Sequence, residues 1–247
     1  MYNLRSSRLR STLPIKRKST QKKVYLTPKG RRDKIENNEL ILHHAPDKIR
    51  SALYLDSEHS LTTRALLNYG AQTLVSVNLG SGPLKRHRLL SDRVRTYEMM
   101  MSTYLRMRAR SRFDRYATRF DYVYLDYELT LRTHMDDIWK LFENKLLYDD
   151  AVFALCINSH DNRKVVDVSD YDSLMLSKRG YEVAPEKLLV PEDWVDKNNI
   201  ENMENPTMVS TSRFTTYCAD YFGYDLKLVE HKSYRMMNLL VYRVYLK

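Results

Sequence analysis

The chain has 247 residues, of which 43% are hydrophobic, and this length and composition suit one large folded domain or two small ones. It contains no run of about 18 apolar residues, so we expect no membrane-spanning helix. The two cysteines, Cys156 and Cys218, exclude a disulfide scaffold and a cysteine-based zinc site, and they suit an intracellular, reducing compartment. The 6 glycines form no dinucleotide-binding or P-loop fingerprint.

The net charge of +10 is concentrated in two basic segments. Residues 1–40 contain 12 Lys and Arg against 3 acids, and residues 84–120 contain 11 against 3. Because each neutralised phosphate releases a condensed counterion, two such segments predict a polyanionic partner, RNA or DNA. The alternative is a solvated surface without a partner.

Residues 1–38 are predicted to be a basic tail that is disordered when free, because few large apolar residues are available to form a core. The cations of this tail that we predict to contact nucleic acid are Lys16, Arg17, Lys18, Lys22, Lys23, Arg31 and Arg32. Their clustering also suits a nuclear localisation signal, whereas the Arg- and Ser-rich composition suits a mitochondrial transit peptide. The expected location is therefore the nucleus, another nucleic-acid-rich compartment or the mitochondrion.

Residues 39–247 are predicted to form one α/β domain. Residues 51–57 have the pattern of a buried strand that ends in an acid, residues 64–69 that of a helix closed by Gly70, and residues 73–79 that of a second strand. This β-α-β order predicts parallel strands joined by a right-handed crossover.

Residues 89–110 have apolar side chains at helical spacing and are predicted to be mainly helical. Near the end of this segment, Arg106, Arg108, Arg110 and Arg112 alternate with other residues, a period more typical of a strand. These four arginines are the second predicted contact with nucleic acid.

The rest of the chain continues the alternation of strands and helices. In order, the sequence predicts a strand at 120–127, an amphipathic helix at 134–147, an apolar strand at 151–158, an irregular insertion at 159–206, a helix at 210–222, and an antiparallel hairpin at 224–234 and 238–246.

This order of elements, closed by a helix and an antiparallel hairpin, resembles the class I S-adenosylmethionine-dependent methyltransferases over about residues 50–247. The resemblance implies a Rossmann-like, mostly parallel sheet whose last strand is reversed. It also implies S-adenosyl-L-methionine as the cofactor. The third strand of this fold, expected between residues 80 and 120, is not evident in the sequence.

In this superfamily the first strand ends in an acid and a glycine-rich turn that lie under the cofactor. Here the turn is Asp56-Ser57-Glu58, and it has no glycine. By the resemblance, these residues would hold the ammonium group of the cofactor, and Thr62 and Thr63 at the start of the next helix would face its carboxylate.

The second strand of the superfamily ends in an acid that binds the ribose hydroxyls, and this chain has Asn78 there. An amide accepts one hydroxyl hydrogen bond but offers no charged bidentate acceptor. The alternative is that Asn78 only closes the turn before Gly80.

Asp126 and Tyr127 occupy the position after the strand at 120–127 where nucleic-acid-modifying branches carry an Asp or Asn beside an aromatic residue. A carboxylate there orients the acceptor and takes its proton, and a tyrosine ring stacks on a base. Both are therefore predicted to be catalytic. The alternative is that Asp126 caps the next helix or pairs with an arginine.

The resemblance favours a divergent methyltransferase that acts on nucleic acid, with RNA favoured over DNA. The missing glycine turn and Asn78 favour the alternative, a catalytically inactive protein of the same fold that binds nucleic acid or serves in a nucleoprotein assembly. No metal site is predicted, because no third ligand accompanies His59 and His160.

Overall fold

The computed structural model describes residues 27–108, 119–129, 131–158 and 206–247. The strands are β1 Ser51–Tyr54, β2 Thr73–Asn78, β3 Val94–Glu98, β4 Phe120–Asp126, β5 Leu147–Asn158, β6 Tyr224–Tyr234 and β7 Met237–Leu246. The helices of the described residues are α1 Pro28–His43, α2 Leu61–Tyr69, α3 Ser81–Leu90, α4 Met101–Arg108, α5 Leu131–Glu143 and α6 Pro206–Tyr221.

The seven strands form one sheet in the order β3-β2-β1-β4-β5-β7-β6. Strands β1 to β5 are mutually parallel, and β7 runs antiparallel to both β5 and β6. The sheet is therefore mostly parallel with an antiparallel C-terminal hairpin, which confirms the predicted fold class. Because β1, β2 and β4 point the same way, the residues that follow them meet at one edge.

Helices cover both faces of the sheet. One face packs against α4, α5 and α6 and is lined by aliphatic and aromatic side chains such as Val123, Phe153 and Tyr242. The opposite face lies under α1 and α2, where Tyr54, Tyr122 and Tyr124 are fully buried. This second face therefore buries hydroxyl groups as well as hydrocarbon.

The prediction of a mainly helical segment at residues 89–110 is wrong, because this segment contains the third strand of the fold. β3 pairs in parallel with β2 from Val94 to Glu98, and only Val94 in it is buried. An edge strand with one buried residue lacks the alternation that identifies strands in a sequence. Of the four alternating arginines, Arg106 and Arg108 lie on the short helix α4, whereas Arg110 and Arg112 lie outside the described part of the chain.

The disordered tail predicted for residues 1–38 is wrong for residues 28–38, because α1 begins at Pro28. The Thr27 side chain accepts a hydrogen bond from the Gly30 amide, and Pro28 occupies the first helical turn, as at many helix starts. The buried face of α1 is largely polar, with Lys34, Asn37 and Asn38. A composition argument that counts only large apolar residues misses such a helix.

The C-terminal hairpin holds α1 in place through three polar contacts. Arg235 pairs with Asp33 at 2.8 Å, Lys232 pairs with Glu36 at 3.0 Å, and Arg243 donates to the carbonyl of His44 at 2.6 Å. The first described helix and the last strands are thus one structural unit.

The remaining predicted elements of the domain are confirmed with shifted ends. The hairpin turns through a two-residue loop, since Tyr234 pairs with Met237, and α6 starts at Pro206 rather than at residue 210. The predicted insertion at 159–206 lies outside the described residues up to position 205, as do residues 1–26. No described helix is long and apolar enough to cross a bilayer.

The two tyrosines Tyr54 and Tyr122 test the polar face of the sheet. The Tyr54 hydroxyl donates to Thr63 Oγ1 at 3.1 Å, whereas the Tyr122 hydroxyl has no bonding partner among the described residues. An unbonded buried hydroxyl costs about 1–3 kcal/mol. We expect Tyr122→Phe to raise the free energy of unfolding by about 1 kcal/mol at neutral pH and Tyr54→Phe to lower it by about 1 kcal/mol in urea titrations.

The same pair of variants has a defined pH dependence. Burial raises the pKa of both phenols above the ordinary value of 10.0, so above that pH the unfolded chain releases phenolic protons that the folded chain keeps. Stability then falls by up to about 1.4 kcal/mol per pH unit for each buried tyrosine. The advantage of Tyr122→Phe should therefore grow above pH 10.0, and a constant advantage would contradict the assignment.

Candidate functional site

A cavity of about 420 Å³ lies beyond the carboxyl ends of β1, β2 and β4. Asp56, Asn78 and Asp126, which follow or end these strands, all line it. The shared rim predicted from the sequence is therefore present. The volume of the cavity falls within the range of about 300–1,000 Å³ that is usual for sites of small molecules and cofactors.

Asp56 is buried at the floor of this cavity and is held by the turn it begins. One carboxylate oxygen accepts from the Ser57 amide at 2.8 Å, and the other accepts from the amide and the hydroxyl of Thr63, each at 2.8 Å. The carboxylate thus caps α2 from below the turn. Most of its hydrogen-bonding capacity is used inside the protein.

Asn78 connects the ends of β1 and β2. Its amide nitrogen donates to the Asp56 carbonyl at 2.8 Å, and its amide oxygen accepts from the Gly80 amide at 3.0 Å. The residue closes the turn before Gly80, as one of the two sequence interpretations expected. It also lines the cavity, where one further N–H and one lone pair remain for a ligand.

The turn after β1 is built without glycine. Ser60 adopts a left-handed backbone conformation with φ of 56° and makes no side-chain cap to α2. His87 supports the turn from behind, where its Nε2 atom donates to the Ser57 carbonyl at 2.9 Å and its Nδ1 atom lies 2.9 Å from Ser76 Oγ. A buried histidine and a strained serine thus replace the glycine-rich turn.

The other predicted cofactor residues divide between the cavity and its surroundings. Ser57 lines the cavity, whereas Glu58 does not belong to its wall. Thr62 donates its hydroxyl to Asn38 of α1 at 3.1 Å, and Thr63 is bound to Asp56, so both threonines are buried in internal contacts.

Asp126 forms an ion pair with Lys34 of α1 at the back of the cavity. Both side chains are largely buried, with 10% of Lys34 and 15% of Asp126 exposed. The Lys34 ammonium also lies 4.2 Å from the centre of the Tyr124 ring. The sequence predicts an arginine or a helix end as the partner of Asp126. It also predicts that Lys34 lies in a disordered tail, and therefore it does not predict this ion pair.

Tyr127 is buried between α5 and the cavity. Its hydroxyl donates to Asp137 at 2.7 Å, and its ring stacks on the His134 ring with 3.5 Å between centroids and 7° between planes. One face of the ring, which was predicted to stack on a base, is therefore occupied by His134. Burial and the neighbouring Asp137 raise the pKa of the Tyr127 phenol well above its ordinary value.

His134 is a cavity residue that the sequence analysis did not identify. Its Nδ1 atom lies 3.6 Å from Asp137, while its buried Nε2 atom has no bonding partner among the described residues. Only its place three residues before Asp137, within the apolar helix pattern, could have marked it.

The cavity wall combines an acidic side with an apolar side. The charged residues that line it are Arg31, Lys34, Asp56, Asp126, Glu128, Asp136 and Asp137, so acids outnumber bases. Leu79, Met99 and Met100 form the opposite, apolar side. Partial burial and the charge of Asp126 raise the pKa of Glu128. Such a site favours a ligand with a cationic group and an apolar or planar body.

The predicted nucleic-acid contacts lie in several places. Arg31 and Arg32 belong to α1, and Arg31 lines the cavity, where its guanidinium approaches His59 Nδ1 at 3.4 Å. Arg106 is exposed on α4, and Arg108 is half-buried with its guanidinium 5.6 Å from the centre of the Phe120 ring. Lys16, Arg17, Lys18, Lys22, Lys23, Arg110 and Arg112 lie outside the described residues.

Solved structures with a similar fold include a candidate hemolysin from Lactococcus lactis, with a TM-score of 0.52 and 14% identity over 86% of each chain. The N-methyltransferase NodS from Bradyrhizobium japonicum WM9, in complex with S-adenosyl-L-homocysteine, gives 0.48 and 11% identity over 88% of each chain. The O-methyltransferase from Bacillus cereus in complex with the same compound gives 0.48 and 11% identity, over 88% of this chain and 82% of that chain. No protein-family model and no curated protein sequence matches the chain.

The feature that identifies the fold is the reversed strand β7, which lies between β5 and β6 in an otherwise parallel sheet. The chain has the class I methyltransferase fold. In this methyltransferase-type fold the cavity described above lies at the edge where the sequence placed it. No group of three or more His, Cys, Asp or Glu side chains among the described residues is arranged to hold a metal ion.

The Lys34–Asp126 pair predicts a large stability effect. Removal of one partner of a buried pair leaves an uncompensated charge, so Lys34→Met should lower the free energy of unfolding by about 3 kcal/mol. Lys232→Met is the matched control, because Lys232 of β6 pairs with Glu36 of α1, the helix that also carries Lys34. In this pair 34% of the Lys232 side chain and 48% of the Glu36 side chain are exposed. Its loss should stay below about 1 kcal/mol in the same denaturant titration. Equal losses for the two variants would show that Lys34 is not held as described.

Proposed function

We propose that the protein is an S-adenosylmethionine-dependent methyltransferase that acts on nucleic acid, RNA in preference to DNA. The observation that carries this proposal is the acidic cavity at the strand ends, with the Asp126 carboxylate fixed at its back by Lys34.

The cavity residues fit this cofactor. Its acids, among them Asp56, Asp136 and Asp137, suit the cationic sulfur and the ammonium group, and Arg31 suits the carboxylate. The apolar wall of Leu79, Met99 and Met100 suits the adenosine. When bound, the cofactor supplies a methyl group on a cationic sulfur.

Asp126 is the residue that we assign to the acceptor. Its carboxylate faces the cavity, accepts a hydrogen bond from the attacking O–H or N–H group, and takes the proton released when the methyl group is transferred. Lys34 fixes the position of this carboxylate, so that the acceptor is held in one orientation. Tyr127 positions His134 through its stacked ring instead of meeting the acceptor with a free face.

A basic edge formed by α3, β3 and α4 supports a nucleic-acid partner. Exposed cations lie on these three elements and in the turn before β3, namely Lys85, Arg86, Arg88, Arg93, Arg95 and Arg106. Arg86, Arg93 and Arg106 donate to backbone carbonyls. Because a carbonyl carries no net charge, these contacts do not neutralise the guanidinium groups. The loop between β3 and α4 also carries the methionines of the cavity wall. The β3–α4 loop would therefore connect a nucleic-acid chain bound along this edge to the cavity.

A second candidate function is a binding protein of the same fold without chemistry. It is favoured by the turn after β1, where the Asp56 carboxylate and the Asn78 amide are already bonded within the protein and glycine is absent. Such a protein would use the same basic edge. The two functions differ in whether the cavity binds the cofactor.

Calorimetry of the full chain with S-adenosylmethionine and with its demethylated product separates the two functions. We expect heat of binding for both compounds, and absence of heat at millimolar concentration would exclude the enzyme. Asp126→Asn and Asp126→Ala should abolish methyl transfer to RNA but change cofactor affinity little, because Asp126 acts on the acceptor. Asp225→Asn, an exposed acid on β6, is the control. Unchanged turnover in the Asp126 variants would remove the assigned role.

Deletion of residues 1–26 tests the tail without removing α1. This segment contains eight Lys and Arg and no acid. We expect the deletion to weaken RNA binding and to reduce the slope of log K against log salt by at most about 6, at about 0.7 per neutralised phosphate of a single strand. Fluorescence anisotropy over a salt series measures both quantities. Equal slopes with and without the segment would show that it makes no phosphate contacts.

A further inference from the structure

The backbone carbonyls of the turn after β1 are held by side chains from outside the turn. Three consecutive carbonyls, those of residues 56–58, each accept a hydrogen bond from a different side chain at the end of β2 or on α3. The donors are, in chain order of the carbonyls, Asn78 at 2.8 Å, His87 at 2.9 Å and Arg86 at 3.3 Å. The direction of these peptide groups is therefore set from the α3 side.

The Ser57 carbonyl is the central one of the three. It also accepts a hydrogen bond from the Ser60 amide at 3.1 Å, so both of its lone pairs are used. Ser60 has a φ of 56°, a conformation that glycine adopts more readily than a residue with a Cβ atom. The bond from His87 thus supports a strained turn, and Ser57 itself lines the large cavity.

The contact with Ser57 also determines where the His87 ring carries its proton. A carbonyl oxygen only accepts hydrogen bonds, so the proton of this contact lies on the Nε2 atom. In the neutral ring, the Nδ1 atom then accepts from the Ser76 hydroxyl, 2.9 Å away. The side chain is fully buried, and its Nε2 atom lies 3.9 Å from Asp56 Oδ2. One imidazole ring therefore joins α3, β2 and the turn.

Helix α3 has two buried side chains, Leu84 and His87. They lie three residues apart and so share one face of the helix. Leu84 buries only hydrocarbon, whereas His87 also donates to the turn. His87 is not part of the cavity wall, so any effect that it has on a ligand acts through Ser57. Substitution of these two residues can therefore separate packing of α3 from positioning of the turn.

We propose that His87 is the positioning residue of the large cavity. Its Nε2–H bond sets the orientation of the Ser57 peptide, and the affinity of the cavity for its ligand depends on this bond. For S-adenosylmethionine as that ligand, the inference rests on the proposed function. The histidine supplies from α3 the support that a turn without glycine cannot supply from its own backbone.

Three variants distinguish positioning from packing. The amide nitrogen of His87→Gln lies near the place of Nε2 and donates to the Ser57 carbonyl, whereas that of His87→Asn lies near the place of Nδ1 and reaches only Ser76. Leu84→Ala removes the other buried side chain of α3 and leaves the contacts of the turn in place. We expect both His87→Asn and Leu84→Ala to lower the midpoint of urea denaturation, so stability alone does not separate the two roles.

Calorimetry of the full chain with S-adenosylhomocysteine measures the effect on the ligand. We expect His87→Asn to raise the dissociation constant about tenfold, as loss of one buried hydrogen bond does. His87→Gln and Leu84→Ala should each change it less than about threefold. An unchanged dissociation constant for His87→Asn, or an equal rise for His87→Asn and Leu84→Ala, would overturn the inference.

Hydrogen exchange of the ligand-free chain, followed by mass spectrometry, is a second readout that needs no cofactor. Peptides that span residues 55–61 contain the Ser60 amide, which is protected by its bond to the Ser57 carbonyl. We expect these peptides to exchange about tenfold faster in His87→Asn than in Leu84→Ala, and His87→Gln to restore the slow rate. Equal rates in His87→Asn and Leu84→Ala would overturn the inference. If the unaltered chain gives no heat with S-adenosylhomocysteine, the proposed function fails, and the exchange rates still decide the role of His87.

Discussion

The ion pair between Lys34 and Asp126 joins the first described helix to the central strand of the sheet and fixes the geometry of the candidate site. Two largely buried charges are costly unless each is matched, so neither side chain is free to move away from the other. The pair also sets the direction of the Asp126 carboxylate at the wall of the cavity. Helix α1 is therefore part of the candidate site rather than an extension of a tail.

The parallel sheet places the remaining site residues. Because β1, β2 and β4 end at one edge, three residues distant in sequence, Asp56, Asn78 and Asp126, line one cavity. Internal hydrogen bonds at Asp56 and Asn78 make the floor of this cavity rigid, since each side chain is held by at least two contacts. Rigidity of this kind is obtained here by side chains, in place of the close backbone approach that glycine allows.

The sequence predicts the order of the strands and the rim of the site because both follow from strong local patterns. Apolar strands that end in Asp56 and Asp126 are visible without coordinates, as is the hairpin. β3 was missed since an edge strand with one buried residue has no period of two. α1 was missed because its buried face carries Lys34 and two asparagines in place of apolar residues. The burial of Lys34 depends on Asp126, 92 residues further along the chain. Long-range charge pairing of this kind leaves no periodic signal in a sequence.

The contacts of α1 also set an order of events on the ribosome. Lys34 meets a partner 92 residues further along the chain, and the carbonyl of His44 meets Arg243 across 199 residues. At a synthesis rate of about 5–20 residues per second, Lys34 waits roughly 5–18 s for β4 and still longer for the hairpin. During translation the nascent helix thus exposes an unmatched ammonium on its sheet-facing side. The contacts between α1 and the hairpin form only after the last strands leave the exit tunnel.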